Sequence, residues 1–203
     1  MNFLADHKTA DGNTPIRAED LEHLIPKLST MGELNEYETL NILKAQKWAF
    51  GPRVMAASNP LEERYVRLLH GKMFEHVWKW AGVYRTHELS IGCDPREIVQ
   101  RIPQVLGNAL QWLENKTFSV DECAIRFHHK LVSTVHPFNN GNGRHARMLT
   151  DVVAVKWGRP EFTWGAGTKI AAEGAARAAY LGALRGLDEN ENNVKPLLEF
   201  ARS

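Results

Sequence analysis

The stretch HPFNNGNGRHAR, residues 136–147, combines residue types that can bind and transfer a negatively charged group. His136 carries an imidazole that titrates near neutral pH, so it can serve as a general base. Arg144 and Arg147 are three residues apart, which places both guanidinium groups on the same side of a helix. A guanidinium group binds phosphate oxygens through paired hydrogen bonds. The spacing therefore predicts a general base beside a site for a polyphosphate.

Gly141, Asn142 and Gly143 lie where this stretch is expected to turn from a loop into a helix. The first backbone N–H groups of a helix lack an intrahelical partner, and the helix dipole favours an anion there. Glycine lets a phosphate approach the backbone closely. We therefore predict that these three residues hold the phosphates. Phe138 is expected to point inward and anchor the loop.

Other interpretations compete for the same residues. Arg147 could pair with Asp151, four residues later, and so contribute only to stability. The segment GNGRHA matches a relaxed dinucleotide-binding fingerprint, but that fingerprint follows a strand, and the residues before it here have a helical pattern. A Walker-type phosphate loop, G-x-x-x-x-G-K-[ST], does not occur in the sequence.

The histidines near the stretch could suggest zinc. They are His128, His129, His136 and His145. There is no H-E-x-x-H motif, and the spacing extends across a loop, so a zinc site is not favoured. We interpret His128 and His129 as helix residues, one buried and hydrogen-bonded and the other facing solvent.

The elements that must position these residues are mostly helices. Apolar residues recur at helical spacing in segments that begin near residues 30, 60, 95, 119, 142, 169 and 194. Residues 80–95, WAGVYRTHELSIGCDP, instead place apolar pairs around a polar middle, which predicts a short β-hairpin or extended flap. The expected fold class is therefore all-α with one β-hairpin flap beside the loop.

The composition of the chain limits the classes of protein to which it can belong. The chain has 203 residues, with 25 Lys and Arg against 24 Asp and Glu, so no general charge favours nucleic acid or a membrane surface. The cysteines Cys93 and Cys123 form no CxxC pair, which indicates two reduced thiols. No apolar run reaches membrane-spanning length, and the N-terminus does not have the pattern of a signal peptide. We expect a soluble, cytoplasmic protein without direct nucleic-acid binding.

The residues HPFNNGNGRHAR resemble the signature of the Fic family, HPFx(D/E)GN(G/K)RxxR, at every position but one. Further segments resemble Fic-domain segments in the same order: LHGKMFEHVWKWAGVYR, FHHKLVSTVHPF and AYLGALRGLDENENNVKPLLEF. The resemblance covers most of residues 34–202, and the chain is most similar to the branch called mobile mystery protein B. It implies an N-terminal extension, residues 1–30, and a single Fic domain, residues 31–203.

The resemblance also implies an activity. Fic proteins have a helical fold with a β-hairpin flap and transfer AMP from ATP to a Ser, Thr or Tyr hydroxyl of a target protein, with Mg²⁺ or Mn²⁺ as cofactor. By resemblance, His136 deprotonates the hydroxyl, and Arg144 and Arg147 stabilise the leaving pyrophosphate. The target would lie along the flap by strand addition. The branch further implies a separate helix-turn-helix partner protein.

Asn140 is the position that departs from the signature, since the family has Asp or Glu there as the metal ligand. An amide oxygen can still bind a hard cation, but it brings no charge. Three outcomes follow from this difference. The protein is a slow adenylyltransferase, a related transferase with another phosphate donor, or a regulatory or toxin-like nucleotide-binding module without efficient catalysis.

Glu33 has two interpretations. Thr30 and Glu33 match a capping box, in which each side chain bonds the other residue's backbone N–H at the start of a helix. Residues 29–34, STMGEL, also match the autoinhibitory motif of some Fic proteins, [S/T]xxxE[G/N], except at Leu34. By that resemblance Glu33 would pair with Arg147 and block the γ-phosphate of ATP.

Overall fold

The computed structural model describes residues 18–166 and 173–203, and within these ranges the chain is helical and contains no β-strand. The α-helices run as follows: α1 Met31–Ala49, α2 Pro52–Ala57, α3 Glu63–Phe74, α4 Ile98–Glu114, α5 Val120–His129, α6 Asn142–Lys156, α7 Glu173–Glu189 and α8 Lys195–Arg202. Short 3-10 helices occupy Ala18–His23 and Pro95–Glu97, and a π-helical segment, Lys130–Val135, extends α5. The predicted all-α class is confirmed.

Helix α1 begins at the predicted capping box. The Thr30 hydroxyl accepts a hydrogen bond from the Glu33 N–H at 3.2 Å, and the Glu33 carboxylate accepts from the N–H groups of Thr30 and Ser29. These bonds satisfy donors that the first helical turn would otherwise leave unpaired. The helix ends at Ala49, just before Gly51 and Pro52.

The core is formed where α5 and α6 pack on each other, with α4 against α5 and α3 against α6. Large apolar side chains from each of these helices are fully buried, among them Leu69, Ile102, Phe127 and Leu149. Burying one such side chain stabilises the fold by about 2 kcal/mol. Helices α5 and α6 are therefore rigid supports at both ends of the loop that joins them.

The predicted β-hairpin over residues 80–95 is not confirmed. The segment makes one isolated bridge, between Tyr84 and Phe138, and is otherwise irregular. Within the segment, the guanidinium group of Arg85 donates to the carbonyl oxygens of His87 and Cys93. A side chain thus supplies to these carbonyls the donors that a facing strand supplies in a ladder.

The expectation that one of His128 and His129 faces solvent is wrong, because α7 covers both. The Nε2 atom of His128 lies 2.8 Å from the Tyr180 hydroxyl, and the Nε2 atom of His129 lies 2.7 Å from the Asp188 carboxylate. Both imidazoles are buried. Cys93 and Cys123 are free thiols, as predicted. In the described ranges, no helix has the length and apolarity needed to span a membrane.

Burial of histidines makes the fold sensitive to acid. Burial lowers the pKa of His128 to about 3 and that of His145 to about 4, and it also lowers the pKa of His70, His129 and His136. A histidine of lowered pKa is neutral in the fold but protonated after unfolding, so its contribution is present above pH 6.5 and is lost as the pH falls below it. Asp151 has the opposite effect on stability, because burial raises its pKa to about 7. Its carboxyl group takes up a proton more readily in the fold than after unfolding, so it favours the fold as the pH falls below 7.

We predict that the unfolding temperature, measured by scanning calorimetry, falls as the pH is lowered from 7 to 5. Five histidines take up protons on unfolding in this range, and they outweigh the single carboxyl of Asp151. His128→Gln should reduce the slope of unfolding temperature against pH. A wild-type unfolding temperature that stays constant or rises towards pH 5 would contradict this account.

Candidate active site

His136 follows the π-helical segment and has a left-handed backbone, with φ 49° and ψ 63°. Its Nδ1 atom lies 2.6 Å from the carbonyl oxygen of Val132. Because a carbonyl only accepts, the chemistry assigns the hydrogen to Nδ1 and leaves Nε2 with a lone pair. The side chain lines a cavity of about 550 Å³. The ring is therefore set to accept a proton at Nε2.

The surroundings of His136 keep it neutral. Burial is the main cause that lowers its pKa, the hydrogen bond to Val132 opposes this effect, and the positive charge of Arg85 adds to it. A neutral imidazole at physiological pH can accept a proton, whereas an imidazolium cannot. The predicted general base thus has both the tautomer and the charge state that this chemistry requires.

The loop after His136 is held by Phe138 and Asn142. Phe138 is fully buried, as predicted, and stacks on His70 with ring centroids 3.7 Å apart. The Asn142 Oδ1 atom accepts from the Phe138 N–H at 2.9 Å, and its Nδ2 atom donates to the Phe138 carbonyl at 2.7 Å. The amide of Asn142 therefore closes the loop on itself. Contact between Asn142 and a ligand is left to its backbone N–H at the start of α6.

Gly141 permits both the turn and the close packing beneath it. Its φ is 78°, and a Cβ atom at this position would lie 2.5 Å from the Phe74 ring. A side chain is thus excluded by conformation and by space. The sequence indicated a glycine for phosphate approach, but the contact with Phe74 was not evident from it.

Arg144 makes an ion pair that the sequence analysis missed. Its Nη1 atom lies 2.5 Å from Oε2 of Glu38, while Oε1 of Glu38 accepts from the Trp78 indole N–H at 2.7 Å. The guanidinium group also lies over the Phe74 ring, 5.0 Å from its centroid. A signal did exist, because Glu38 occupies a position of α1 that the helical spacing assigns to the buried face.

Arg147 also lines the cavity, where its guanidinium lies 5.5 Å from the centroid of the Tyr180 ring. The alternative partner, Asp151, accepts instead from the Phe162 N–H and the Trp164 indole. The interpretation of Arg147 as half of a structural ion pair with Asp151 is therefore not supported. Both arginines of the stretch reach the same cavity as His136, as the sequence predicts.

Glu33 uses its carboxylate in the capping box at the start of α1. Hydrogen bonds from the Ser29 and Thr30 N–H groups are the largest causes that lower its pKa. In the described part of the chain, its hydrogen bonds are those of a cap, and no contact with Arg147 is among them. The capping interpretation is confirmed.

Asn140 lies on the wall of the cavity, where the family signature has an acidic metal ligand. Its Oδ1 atom accepts from the Gly141 N–H at 2.5 Å, and its carbonyl oxygen lies 3.1 Å from Nε2 of His70. No cluster of three or more His, Cys, Asp or Glu suited to a metal occurs among residues 18–166 and 173–203. The site fits a cation that arrives with the phosphates of a nucleotide, because the protein supplies one neutral oxygen and the phosphates supply the charge.

Part of the cavity wall is apolar. Its lining includes Leu34, Trp164, Leu181, Leu184 and Phe200. Cavities of a few hundred cubic ångströms with an apolar wall and a few polar groups are typical of small-molecule sites. Two arginines, a helix N-terminus and several apolar side chains in one cavity suit a ligand that has a phosphate chain and an aromatic base.

Residues 60–154, which include α3, the loop and most of α6, match the model of the Fic/DOC family. A protein adenylyltransferase of Caenorhabditis briggsae is 32% identical over 108 residues, 52% of this chain and 21% of the relative. A probable protein adenylyltransferase of Aquifex aeolicus is 33% identical over 94 residues, 42% of this chain and 28% of the relative.

Solved structures agree with the fold. A Bartonella tribocorum effector, BepC, with bound AMPPNP, has a TM-score of 0.65 and 20% identity, over 86% of this chain and 88% of that one. The helical fold is therefore that of Fic domains. This chain spans less than a third of the length of the curated relatives it matches. The assignment to the mobile mystery protein B branch stays a prediction.

We predict that Asn142→Ala lowers the free energy of unfolding by about 2 kcal/mol, because it leaves the buried N–H and carbonyl of Phe138 without partners. The matched control is Asn139→Ala in the same loop, since Oδ1 of Asn139 has no hydrogen-bond partner among the described residues. Urea denaturation of both variants measures the difference. Equal losses would contradict the assigned role of Asn142.

Proposed function

We propose that this protein is a protein adenylyltransferase that transfers AMP from ATP to a Ser, Thr or Tyr hydroxyl of a target protein. One observation carries the proposal: His136, neutral and with Nε2 as its accepting nitrogen, lines the same cavity as Arg144, Arg147 and the start of α6. The curated relatives named protein adenylyltransferase support it, as does the AMPPNP bound to the Bartonella effector.

The proposed reaction is a displacement at the α-phosphorus of ATP. Nε2 of His136 takes the proton of the target hydroxyl, and the hydroxyl oxygen forms a bond to the α-phosphorus. The bond from this phosphorus to the α,β-bridging oxygen breaks, and pyrophosphate leaves with that electron pair. The guanidinium groups of Arg144 and Arg147 and the first N–H groups of α6 stabilise the charge that develops.

Arg144 can serve the phosphates without leaving Glu38. Its Nη1 atom is committed to the carboxylate, but a guanidinium has five N–H donors in a planar fork. Its side chain is 35% exposed, whereas that of Glu38 is 6% exposed, so Arg144 is accessible from the cavity while its partner is shielded. The ion pair fixes the direction of the arginine before a nucleotide binds.

The residue at position 140 determines the rate of AMP transfer that we expect. Mg²⁺ or Mn²⁺, when bound, neutralises charge on the phosphates, and the oxygen of Asn140 would be its protein ligand. Because this oxygen is neutral, we propose a slower transfer than a carboxylate would support. The same substitution supports a second candidate, a nucleotide-binding regulatory or toxin-like module, and leaves open a different phosphate donor.

The target is proposed to lie along residues 84–93, beside the mouth of the cavity. Thr86, Glu88 and Ser90 are exposed in this segment, and Ile91 lines the cavity. Apart from the bridge at Tyr84, the segment has no strand partner among the described residues, and we propose that an extended target chain pairs with its main chain. A separate helix-turn-helix partner belongs to the same proposal.

His136→Asn is predicted to abolish transfer while ATP binding persists. Asparagine tolerates the left-handed backbone of this position but cannot act as the base, so the rate should fall at least a hundredfold. Incorporation of label from α-phosphate-labelled ATP into protein measures transfer, and calorimetric titration measures the dissociation constant. Labelling that survives in the variant contradicts the role of His136. Wild-type protein that binds ATP without labelling any protein favours the binding module.

Asn140→Asp is predicted to lower the Mn²⁺ concentration for half-maximal transfer about tenfold, because it adds a charged ligand in the same shape. It also keeps an acceptor for the Gly141 N–H, so the loop should remain intact. Asn140→Ser, which shortens the ligand, serves as the control. A metal dependence that is unchanged in Asn140→Asp would show that this residue does not contact the cation.

A further inference from the structure

We propose that Arg85 is a positioning residue for the general base, because its guanidinium group fixes the backbone conformation that directs His136 into the cavity. The proposal rests on the proposed function, since it takes His136 as the base. Arg85 does not line the cavity and touches neither the nucleotide site nor the imidazole nitrogens. Its effect on the reaction would therefore pass through the backbone of His136.

The conformation of His136 needs outside support. A left-handed backbone is uncommon for a residue other than glycine, and the residue before a proline ordinarily adopts an extended conformation. His136 precedes Pro137 and is nevertheless left-handed. Strained backbones persist when surrounding contacts determine them, and they concentrate at functional sites.

Arg85 holds both peptide groups that flank the Cα atom of His136. Its Nε atom donates to the carbonyl oxygen of His136 at 2.7 Å, and its Nη2 atom donates to the carbonyl oxygen of Val135 at 3.2 Å. The orientation of the first peptide group determines ψ of His136, and that of the second determines φ. The backbone N–H of Arg85 also donates to the Pro137 carbonyl at 2.9 Å. One residue thus fixes both dihedral angles of the base.

Residues 84–93 pack against the side of the loop behind His136. Gly92 has φ 102°, and a Cβ atom there would lie 2.6 Å from the Cβ of His136 and 2.9 Å from Nη2 of Arg85. The glycine lets the segment approach, and Nη1 and Nη2 of Arg85 secure it through the carbonyls of His87 and Cys93. The segment proposed to dock the target is therefore also the support of the base.

The charge of Arg85 is unusual for a residue with only a structural role. Its exposed fraction is 2%, and the four hydrogen bonds that its side chain makes within the described residues all go to backbone carbonyls. A buried charge without a bonded carboxylate is costly, and such costs concentrate at functional sites. A guanidinium group has several N–H donors in one plane. It can therefore bond two carbonyls of the loop, those of Val135 and His136, together with two carbonyls of its own segment, those of His87 and Cys93.

The test compares Arg85→Met, Arg85→Lys and Gly92→Ala with the control Arg67→Met. Arg67 is exposed and contacts the start of the same segment, with its guanidinium 5.3 Å from the centroid of the Tyr84 ring and its Nε donating to the Gly82 carbonyl just before it at 3.0 Å. No hydrogen bond of Arg67 to His136 is seen among the described residues. The readouts are the tautomer of His136, from nitrogen chemical shifts of ¹⁵N-histidine-labelled protein, the rate of AMP transfer and the dissociation constant for ATP. Thermal unfolding shows which variants fold.

We expect wild type and Arg67→Met to hold the hydrogen on Nδ1, and Arg85→Met to show both tautomers because the bond to Val132 is weakened. Transfer should fall at least tenfold in Arg85→Met, with ATP affinity within twofold, and Arg85→Lys should recover part of the rate. Gly92→Ala disturbs His136 from the same side without removing a charge, so it should give the same result if Arg85→Met does not fold.

A single tautomer on Nδ1 in every folded variant of Arg85 and Gly92 overturns the proposal. So does a loss of transfer that is equal in Arg67→Met and Arg85→Met, since that would show general support of the segment. The measurement of the His136 tautomer does not depend on AMP transfer. Wild-type protein that transfers no AMP therefore overturns the proposed function, while the shifts still decide the role of Arg85.

Discussion

A hydrogen bond from Nδ1 of His136 to the carbonyl oxygen of Val132 leaves Nε2 as the only accepting nitrogen of a ring that lines the cavity. The bond exists because the π-helical segment before His136 brings this carbonyl under the imidazole at a separation of four residues. An imidazole with the other tautomer would present a donor at Nε2 and could not take a proton there. The remaining parts of the site can serve proton transfer only if this bond is kept.

The charges around the cavity are arranged for an incoming anion. Arg144 and Arg147 both reach it from the first two turns of α6, and the carboxylate of Glu38 orients the first of them from behind. Because Glu38 is itself held by the Trp78 indole, the orientation of Arg144 depends on the packing of α1 against the residues that follow α3. The site is thus preorganised by the core of the domain, which reduces the rearrangement needed when a ligand binds.

The sequence predicted those features that depend on local chemistry. The loop, the start of α6 at Asn142, the inward Phe138 and the capping box of Thr30 and Glu33 all follow from residue types and short spacings, and the structure has each of them. Features that depend on contacts between distant segments were missed. Glu38 meets Arg144 across 106 positions, and Arg85 replaces a hairpin ladder with bonds to carbonyls up to 51 positions away. Likewise, α7 covers His129, which no local pattern indicates.

The most direct test of the account is a crystal structure with a non-hydrolysable ATP analogue and Mn²⁺. The account predicts the β- and γ-phosphates on Arg144, Arg147 and the start of α6. It also predicts an α-phosphorus placed so that one hydroxyl oxygen fits between it and Nε2 of His136, about 3 Å from each. Phosphates bound away from both arginines, or an α-phosphorus that Nε2 cannot reach through a hydroxyl, would contradict it.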